Sequence, residues 1–540
     1  MNKTLLASAI LLATVLGNTG VVEAKTRWDN SQQALQDAIN SFKSDLLLRA
    51  LLKEMPKGGD LHSHLSGAIT MERLIEWGAA DGVCVNTTTY IASPPPCVAG
   101  QTALSNALTD TNLYNKVLGA WSMEGAPNTL LGAHQHFFDS FGKFGAVLTD
   151  DRTDDSIADV LSTAGKNNQV YVELMQGFSS STIGRIAKNY ILPTDPWDAA
   201  YLLKKRKEII SDPLFNSTLQ NAKLNLKKSL DGARQLLGCG TANPDPGCNV
   251  EPRFLLSANR TNDRGYVFAQ WVYAYELAQT TPEVLGVNLV SPEEHPNSLL
   301  YYNDEMLALN VLRRFNEKTP KRRPVHISLH AGELIPSVLP ATPEGQQHLT
   351  FHITNAVKIA HAERIGHGVD LLDEVAGAGV RDLLKTMQRQ NVAVEVCLTS
   401  NASLLGKQGK THPVRTYLNY GVPVVLSTDD QGIFRIDITD EFVRAVTEQG
   451  FPYITLKDLV RASLEHSFLP GKSLWQNKNR YDTVAAACKN DLPSAIKPSA
   501  SCGKLLASSE RAALQWKLEA QFNEFEDNAV QIIRALNNQQ

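Results

Sequence analysis

The chain has 540 residues, 43% of them hydrophobic and 20% charged, an ordinary globular composition that excludes disorder or a fibrous structure for the whole chain. That length can bury one large core or two smaller ones. The formal net charge is −4 and the Lys and Arg residues are scattered along the chain, which argues against nucleic acid as a partner and favours a small-molecule substrate.

The first residues have the pattern of a secretory signal peptide. Lys3 precedes an apolar run over residues 5–16, and Val22-Glu23-Ala24 carries small or modest side chains at the positions that signal peptidase reads. The apolar run is shorter than the ~20 residues of a membrane-spanning helix, which argues against an anchor, and no later stretch is long and apolar enough to span a bilayer. We therefore expect cleavage after Ala24 and export to the periplasm or the medium.

The cysteine spacing agrees with export. Six of the seven cysteines fall into local pairs, and the seventh, Cys397, stands alone in an apolar run. Disulfides persist outside the cytoplasm, and each pair would close a short loop rich in Pro, Gly or Asn. We expect three disulfides and a buried Cys397 thiol; reduced surface thiols are the alternative. The pairs are Cys84 with Cys97, Cys239 with Cys248, and Cys488 with Cys502.

Short apolar runs bounded by turn residues alternate with stretches of helical periodicity, which is typical of parallel βα units. Eight such runs occur, which is the number that closes a barrel surrounded by helices. The sequence therefore predicts the α/β class and a (β/α)8 TIM-type barrel. The predicted strands are residues 59–64, 170–175, 253–257, 284–290, 325–330, 364–367, 392–398 and 423–428.

The chain is longer than the ~250 residues typical of such a barrel, and the excess follows the first and second strands. We interpret residues 25–540 as one barrel domain with insertions at about 81–166 and 176–252, the first of which contains a helix near 133–144. Because both insertions leave the carboxyl ends of strands, we expect them to cover the active-site face. Residues 508–536 have the apolar spacing of a packing helix.

The candidate metal ligands lie at the carboxyl ends of predicted strands, which converge on one face of a barrel. His62 and His64 are two residues apart, so both point to the same side of the first strand. His330 ends the fifth strand and Asp429 follows the eighth. Three imidazoles and one carboxylate form a borderline ligand set that suits Zn²⁺. We therefore predict one zinc ion per chain.

Further residues near these ligands suit acid–base and binding chemistry. Glu333 follows His330 closely enough to face the metal without binding it, which is the placement that a proton shuttle needs. His367 ends the sixth strand between two glycines, where a role in backbone geometry is the alternative. Asp430 adjoins Asp429, and two adjacent carboxylates at a catalytic face favour function over a solvated turn.

Five segments in order, with a sixth near the end, resemble the adenosine deaminase family. They span roughly residues 55–470, and an ordered set is far more specific than any one motif. The resemblance implies an exported bacterial-type member of that family, a metal-dependent barrel hydrolase that acts on a C–N bond. The segments are residues 55–68 (MPKGGDLHSHLSGA), 328–333 (SLHAGE), 364–368 (RIGHG), 395–401 (EVCLTSN), 427–430 (STDD) and 467–470 (SFLP).

The resemblance also implies a reaction, the hydrolysis of adenosine to inosine and ammonia. Zinc held by His62, His64, His330 and Asp429 would lower the pKa of water toward ~7 for attack on C6 of the purine. Asp429 would also serve catalysis, and His64 would also line the substrate site. Glu333 would protonate N1, His367 would orient or deprotonate the attacking water, and Asp430 would bond N7.

Two positions depart from the family pattern. Ser66 stands where the family usually has an acidic residue linked to the 5′-hydroxyl of the sugar. Ser291 stands where the family has a glycine whose backbone is linked to N3 of the purine. We expect both serines in the substrate site. The loss of the acid at Ser66 predicts that 5′-modified adenosines are accepted as well as adenosine. Deoxyadenosine is a further expected substrate of this family reaction.

Two other classes of metal-dependent hydrolase have sequence signatures that this chain lacks. A two-metal barrel hydrolase usually needs a carboxylated lysine at the end of the fourth strand, and residues 284–290 contain none. The other zinc deaminase architecture needs Pro-Cys-x-x-Cys, but Pro96-Cys97 has no second cysteine at that spacing. A single-metal hydrolase for another aminopurine, and a secreted purine-binding or growth-factor-like protein, remain open. The sequence leaves the oligomeric state open as well.

Overall fold

The structure is a computed structural model that describes residues 30–42, 44–375, 379–493, 495 and 497–537. The signal peptide expected at residues 1–24 lies outside the described residues, as does its cleavage site. Across the described chain, no helix combines the length and the apolar character needed to cross a membrane.

The core of the fold is a sheet of eight parallel strands, arranged in the same order in space as along the chain. A further parallel bridge joins Ser63 in the first strand to Asp429 after the last, with Asp429 N donating to His62 O at 2.9 Å. This bridge closes the sheet, and the predicted barrel is confirmed. The strands are β1 (Gly58–His64), β2 (Gln169–Gln176), β3 (Glu251–Asn259), β4 (Val284–Val290), β5 (His326–Ala331), β6 (Arg364–His367), β7 (Ala393–Val396) and β8 (Val424–Leu426).

Two strands are shorter than the apolar runs that predicted them, because polar groups terminate the pairing. The run 392–398 ends as β7 at Val396, since a helix starts at Leu398 and the Glu441 carboxylate accepts from Leu398 N and Thr399 N. The run 423–428 ends as β8 at Leu426, since Thr428 N and its hydroxyl donate to Asp60. Both carboxylates satisfy backbone donors that leave the sheet.

Helices surround the barrel and connect its strands. A first helix covers residues 30–41. The other α-helices are Asp45–Glu54, Leu65–Ala68, Met71–Ala80, Thr111–Trp121, Leu130–Phe144, Thr153–Lys166, Ser180–Ala187, Ala199–Ile210, Pro213–Leu236, Arg264–Thr280, Pro296–Lys318, Pro343–Gln347, His352–Asn355, Val380–Gln390, Leu398–Leu405, Val414–Asn419, Gln431–Phe434, Ile438–Thr447, Tyr453–Glu465, Ala500–Ser508 and Glu510–Asn537.

The segment between β1 and β2 covers the carboxyl end of the barrel. It contains a small antiparallel sheet of Cys84–Asn86, Ala92–Ser93 and Gln101–Ala103, together with several helices. The predicted helix near 133–144 is present as Leu130–Phe144, which we call the covering helix. Phe137 of this helix stacks on Phe434, which follows β8, with ring centroids 5.1 Å apart. The covering helix is thereby fixed over the mouth of the barrel.

The segment between β2 and β3 was expected to wall the cavity at the mouth of the barrel, but its described residues do not line that cavity. Its long helix, Pro213–Leu236, packs against Thr153–Lys166 outside the barrel. The expectation that this insertion walls the cavity is therefore wrong for the described residues, because its long helix buries Phe215, Leu219 and Leu226 against neighbouring helices.

The three predicted disulfides are confirmed, and each closes a loop outside the barrel sheet. They are Cys84–Cys97, Cys239–Cys248 and Cys488–Cys502. Cys397 is a buried free thiol, as expected. Such short loops stabilise the fold chiefly by restricting the unfolded chain.

The carboxyl-terminal helix, Glu510–Asn537, packs on the barrel as predicted. Its Glu519 carboxylate accepts two hydrogen bonds from Arg461, at 2.8 and 2.7 Å. Glu526 pairs with Lys457 at 2.6 Å and both side chains are buried. Phe522 and Phe525 are buried beside these pairs. The helix is therefore a structural part of the barrel.

Candidate active site

A cavity of about 330 Å³ opens at the carboxyl ends of the barrel strands, beneath the covering helix. A larger cavity of about 440 Å³ lies at the opposite end of β8, and it contains none of the predicted site residues. Active sites of such barrels lie at the carboxyl end, so the first cavity is the candidate site. It is lined by His64, Ser66, Phe137, Phe138, Phe141, Val290, Ser291, Pro292, His330, Glu333, Asp429 and Asp430.

The four predicted metal ligands meet at the floor of this cavity, with their donor atoms all within 4.8 Å of one another. His64 Nε2 lies 3.1 Å from His330 Nε2 and 3.3 Å from Asp429 Oδ1. His62 Nε2 is 3.5 Å from Asp429 Oδ1 and is buried without a hydrogen-bond partner among the described residues. Converging imidazole nitrogens around a carboxylate, one of them unpartnered, fit a divalent cation such as zinc.

Hydrogen bonds behind the ligands hold the imidazoles in the form that a metal requires. His62 Nδ1 donates to Glu395 Oε2 at 2.7 Å, and His330 Nδ1 donates to Asn288 Oδ1 at 2.8 Å. Each bond leaves the lone pair on Nε2 directed into the site. Arg364 pairs with Glu395 at 2.5 Å, and its positive charge outweighs burial and holds the pKa of Glu395 at about 2. The Glu395 carboxylate is therefore a charged anchor for His62.

The backbone at the strand ends is in the left-handed region that favours glycine. His367 has φ 65°, Asp429 has φ 60° and Ser291 has φ 81°. Such conformations cost free energy and concentrate at functional sites. Gly366 has a different role, because a Cβ there would lie 2.5 Å from His62 Cε1. A glycine beside His367 is thus required for the position of a metal ligand.

Glu333 lies beside the ligands with its carboxyl group directed into the site. Glu333 Oε1 is 3.6 Å from His367 Nε2. Burial raises the pKa of the Glu333 carboxyl well above its usual range, and the negative charge of Asp429 adds to the shift. A neutral carboxyl group at this place can donate a proton, as a general acid must.

Glu293 holds Glu333 in place and was not foreseen from the sequence. Its carboxylate accepts from Gly332 N at 3.1 Å and from Glu333 N at 2.7 Å. It is held in turn by His352 Nδ1 at 2.6 Å and by Arg260 at 3.8 Å. The available signal was a pair of glutamates directly after β4, at the catalytic end of the barrel.

The adjacent carboxyl groups of Asp429 and Asp430 have opposite protonation tendencies. Burial raises the pKa of Asp429, but the neighbouring imidazoles of His62 and His64 outweigh it and hold that pKa well below its usual range. Burial raises the pKa of Asp430 well above its usual range, and the charge of Asp429 adds to the effect. The lowered pKa keeps Asp429 charged, as a metal ligand must be. The raised pKa keeps Asp430 protonated, so that it can donate a hydrogen bond.

The structure brings the predicted site residues together. Ser66, Ser291 and Asp430 line the cavity with the ligands His64, His330 and Asp429. His62 and His367 are fully buried beneath its floor, with ring centroids 4.9 Å apart. The covering helix contributes Phe137, Phe138 and Phe141 to the wall. These phenylalanines were expected from the sequence as core or pocket wall. The residues that sequence reasoning missed are the wall residues Val290 and Pro292 and the buried partners of the site, which are Asn288, Glu293 and Glu395.

A second group of possible ligands shares Asp429 with the first. It consists of His367, Cys397 and Asp429, with donor atoms within 4.8 Å of one another. Burial raises the pKa of the Cys397 thiol well above its usual range, and nearby carboxylates add to that effect. Metals bind the thiolate and not the thiol, so the four-residue group is the better candidate for the metal centre.

Comparison with known proteins gives the same family as the motifs. The adenosine deaminase family model matches residues 248–482. Adenosine deaminase of Escherichia coli strain SE11 is 32% identical over 145 residues, which cover 27% of this chain and 38% of the relative. The enzyme of Escherichia coli O9:H4 strain HS is 32% identical over 146 residues, with the same coverage. The match therefore spans less than half the length of these relatives.

Two solved structures of deaminases have a similar course of the chain. Adenine deaminase from Arthrobacter aurescens is 17% identical with a TM-score of 0.47, covering 77% of this chain and 94% of that one. The arabidopsis N6-mAMP deaminase is 17% identical with a TM-score of 0.46, covering 78% and 95%.

The matched region contains six of the eight barrel strands and most of the site. His330, Glu333, His367, Asp429 and Asp430 all lie within it. The two remaining ligands, in β1, precede it and complete the same metal group. Residues 248–482 are therefore similar to the adenosine deaminase family, and the residues of the candidate site that lie in this region share that similarity.

Proposed function

We propose that this protein is a zinc-dependent hydrolase that removes the 6-amino group of adenosine, giving inosine and ammonia. The observation that carries the proposal is the convergence of His62, His64, His330 and Asp429 beside the buried carboxyl group of Glu333. The family match supports the reaction class.

The four ligands would hold one zinc ion per chain. A bound zinc ion supplies Lewis-acid chemistry, because it lowers the pKa of water toward ~7 and so provides a nucleophile at neutral pH. The chain fixes the ligand geometry through Glu395 and Asn288, which orient His62 and His330. The three phenylalanines of the covering helix would make part of the cavity wall apolar and reduce the contact of the reacting atoms with bulk water.

The remaining steps belong to the carboxyl groups of the cavity. Protonated Glu333 would donate its proton to N1 of the purine, which makes C6 more open to attack by water. N7 of the purine is an acceptor, so a carboxyl group that bonds it must carry a proton, and the raised pKa of Asp430 supports that role. Attack of water on C6 would form a tetrahedral carbon, and one proton of the water would return to the Glu333 carboxylate. The other would pass to the 6-amino group, which leaves as ammonia as the C6 carbonyl forms.

A substrate panel tests the proposal directly. Ammonia release is measured with adenine, adenosine, deoxyadenosine, 5′-substituted adenosines and adenosine nucleotides. We expect adenosine to give the highest kcat/KM, with inosine as product. A highest value for adenine would indicate another aminopurine deaminase, and saturable binding of adenosine without ammonia release would indicate a binding protein.

We further propose that the site tolerates substitution at the 5′ position of the sugar. Ser66 lines the cavity, and none of the described lining residues is Lys, Arg or a carboxylate other than Glu333, Asp429 and Asp430. A carboxylate at the Ser66 position would repel a negative group 4 Å away by ~4 kcal/mol at an effective dielectric of 20. Its absence removes a barrier against 5′-charged and 5′-substituted substrates.

Replacing Ser66 by aspartate should therefore raise the ratio of kcat/KM for adenosine over that for 5′-substituted adenosines. The matched control is Ser66→Ala, which removes the hydroxyl group without adding charge and should leave the ratio within about threefold of the wild-type value. The idea is wrong if the wild type already rejects every 5′-substituted analogue and Ser66→Asp does not change the ratio.

We also propose that the protein is exported. The three disulfides support an oxidising environment for the folded chain. Cell fractionation followed by amino-terminal sequencing should place the protein outside the cytoplasm with Lys25 as its first residue. A cytoplasmic protein that begins at Met1 would contradict this proposal.

A further inference from the structure

A chain of three hydrogen bonds lies directly behind His367. Val414 N donates to His412 Nδ1 at 3.1 Å. His412 Nε2 lies 3.0 Å from Asn401 Oδ1, and Asn401 Nδ2 lies 2.9 Å from His367 Nδ1. The side chains of His412, Asn401 and His367 are all buried, so water does not compete for these bonds. The chain begins at a backbone amide and ends at the candidate active site.

The backbone amide sets the direction of every bond in the chain. Because Val414 N–H can only donate, His412 Nδ1 must accept, and a neutral His412 then carries its proton on Nε2. That proton is donated to Asn401 Oδ1, which leaves the Asn401 amide nitrogen to donate to His367 Nδ1. A neutral His367 must therefore carry its own proton on Nε2. Both imidazoles must be neutral, because a charged ring would carry a proton on the Nδ1 atom that here accepts a hydrogen bond.

The backbone N–H of Val414 also excludes the opposite orientation of the Asn401 side chain. With its oxygen toward His367, the Asn401 nitrogen would face His412, and His412 Nε2 would have to accept. His412 Nδ1 would then carry the proton and meet the donor of Val414 head-on, leaving a buried donor without an acceptor. The hydrogen bonds to His367 and His412 therefore fix which way the Asn401 amide points.

The protonated nitrogen of His367 faces the site. Nε2 is buried and has no hydrogen-bond partner among the described residues. It lies 3.6 Å from Glu333 Oε1, and a ring nitrogen of His367 belongs to a group of donor atoms with Asp429 and Cys397, all within 4.8 Å of one another. An N–H at this position has no acceptor within hydrogen-bond distance among the described residues, so a bound water can serve as its acceptor.

We propose that Asn401 and His412 are positioning residues that hold His367 as an Nε2–H donor toward the oxygen of the attacking water. His367 then orients the water and is not the group that removes its proton. The role of the water rests on the proposed function, whereas the position of the proton on His367 does not. The two residues act only through His367, since neither lines the cavity.

Neutron diffraction from deuterium-exchanged crystals of the metal-loaded protein tests the proton position without reference to activity. Deuterium is expected on Nε2 of His367 and on Nε2 of His412, with the amide nitrogen of Asn401 toward His367. Deuterium on Nδ1 of His367 would overturn the proposal, even if the protein deaminates adenosine. Lack of adenosine deamination with deuterium on Nε2 would overturn only the proposed function.

The variant Asn401→Asp tests the consequence for turnover. A carboxylate can only accept, so His367 must place its proton on Nδ1, and Nε2 loses its donor. We expect kcat to fall by about 10² to 10⁴-fold, with KM within about threefold and metal content unchanged, as for other enzymes in which a catalytic histidine has the wrong tautomer. A kcat within about threefold of the wild-type value would overturn the proposal.

Two further variants separate positioning from stability. His412→Gln retains an amide N–H that can donate to Asn401, and it should keep kcat within about tenfold of the wild-type value. Ser400→Ala is the matched control, because the Ser400 hydroxyl is buried next to Asn401 without a hydrogen-bond partner among the described residues. Equal losses of kcat in all three variants would show a structural effect and overturn the proposal.

Discussion

Replacing Glu333 by glutamine should lower kcat for adenosine by about 10² to 10⁴-fold, the range that a general acid contributes. Glutamine has nearly the same size and keeps the two backbone hydrogen bonds to Glu293, so the fold of the loop should persist. It has no acidic proton to give to N1 of the purine. The metal content should not change, since Glu333 is not among the ligands. Steady-state kinetics and elemental analysis of the same preparation measure both effects.

The neighbouring residue Glu294 offers a matched control. Its carboxyl group lies 3.5 Å from His134 of the covering helix and does not line the cavity. Glu294→Gln should keep kcat within about threefold of the wild-type value. Our assignment of Glu333 is wrong if Glu333→Gln retains more than about a tenth of the wild-type kcat.

The second large effect is expected at Asp429, which supplies the only negative charge among the four ligands. Asn is the right replacement, because Asp429 has φ 60° and Asn tolerates this conformation better than most residues. Asp429→Asn keeps the backbone bridge that closes the barrel and removes the charge. We expect the affinity for zinc to fall by at least about 10-fold to 100-fold, and kcat to fall with it.

The variant Asp430→Asn is the control that distinguishes the metal ligand Asp429 from the carboxyl group next to it. The change is chemically the same and one residue away, but Asp430 is not a member of the ligand group. We expect this variant to keep its zinc and to bind substrate more weakly, since the amide replaces the group that bonds N7. Equal zinc affinity of the wild type and Asp429→Asn, measured by competition with a chelator, would contradict the ligand assignment.

Much of the fold was predictable, because most barrel strands leave a recognisable pattern in a short stretch of the sequence. β4 occupies the predicted residues 284–290, since a buried parallel strand is a mainly apolar run bounded by polar turns. β6 also has its predicted bounds, 364–367, although Arg364 and His367 at its ends are buried polar residues. The candidate ligands were predictable for the same reason: once the strands are known, the histidines at their carboxyl ends must converge. The predicted cysteine pairs are close in sequence, so they too were local signals.

The partners of the ligands could not be predicted, because they depend on contacts between distant strands. Glu395 lies inside an apolar run, where a charge is a signal of function, but its pairing with His62 joins residues 333 positions apart. Glu293 supports Glu333 across 40 positions. The packing of the helix Pro213–Leu236 outside the barrel likewise depends on which face of the barrel is free. Sequence periodicity predicts where a helix or strand lies along the chain, but it does not predict which other helices and strands pack against it.

One zinc ion per chain should be enough for the removal of the amino group of adenosine. Zinc is titrated into metal-free protein, and the initial rate of adenosine deamination is followed by the loss of its ultraviolet absorbance. The rate should rise linearly and stop rising at one equivalent of zinc per chain, because the ligand set is complete with one ion. A break at two equivalents, or full activity before any metal is added, would contradict the account.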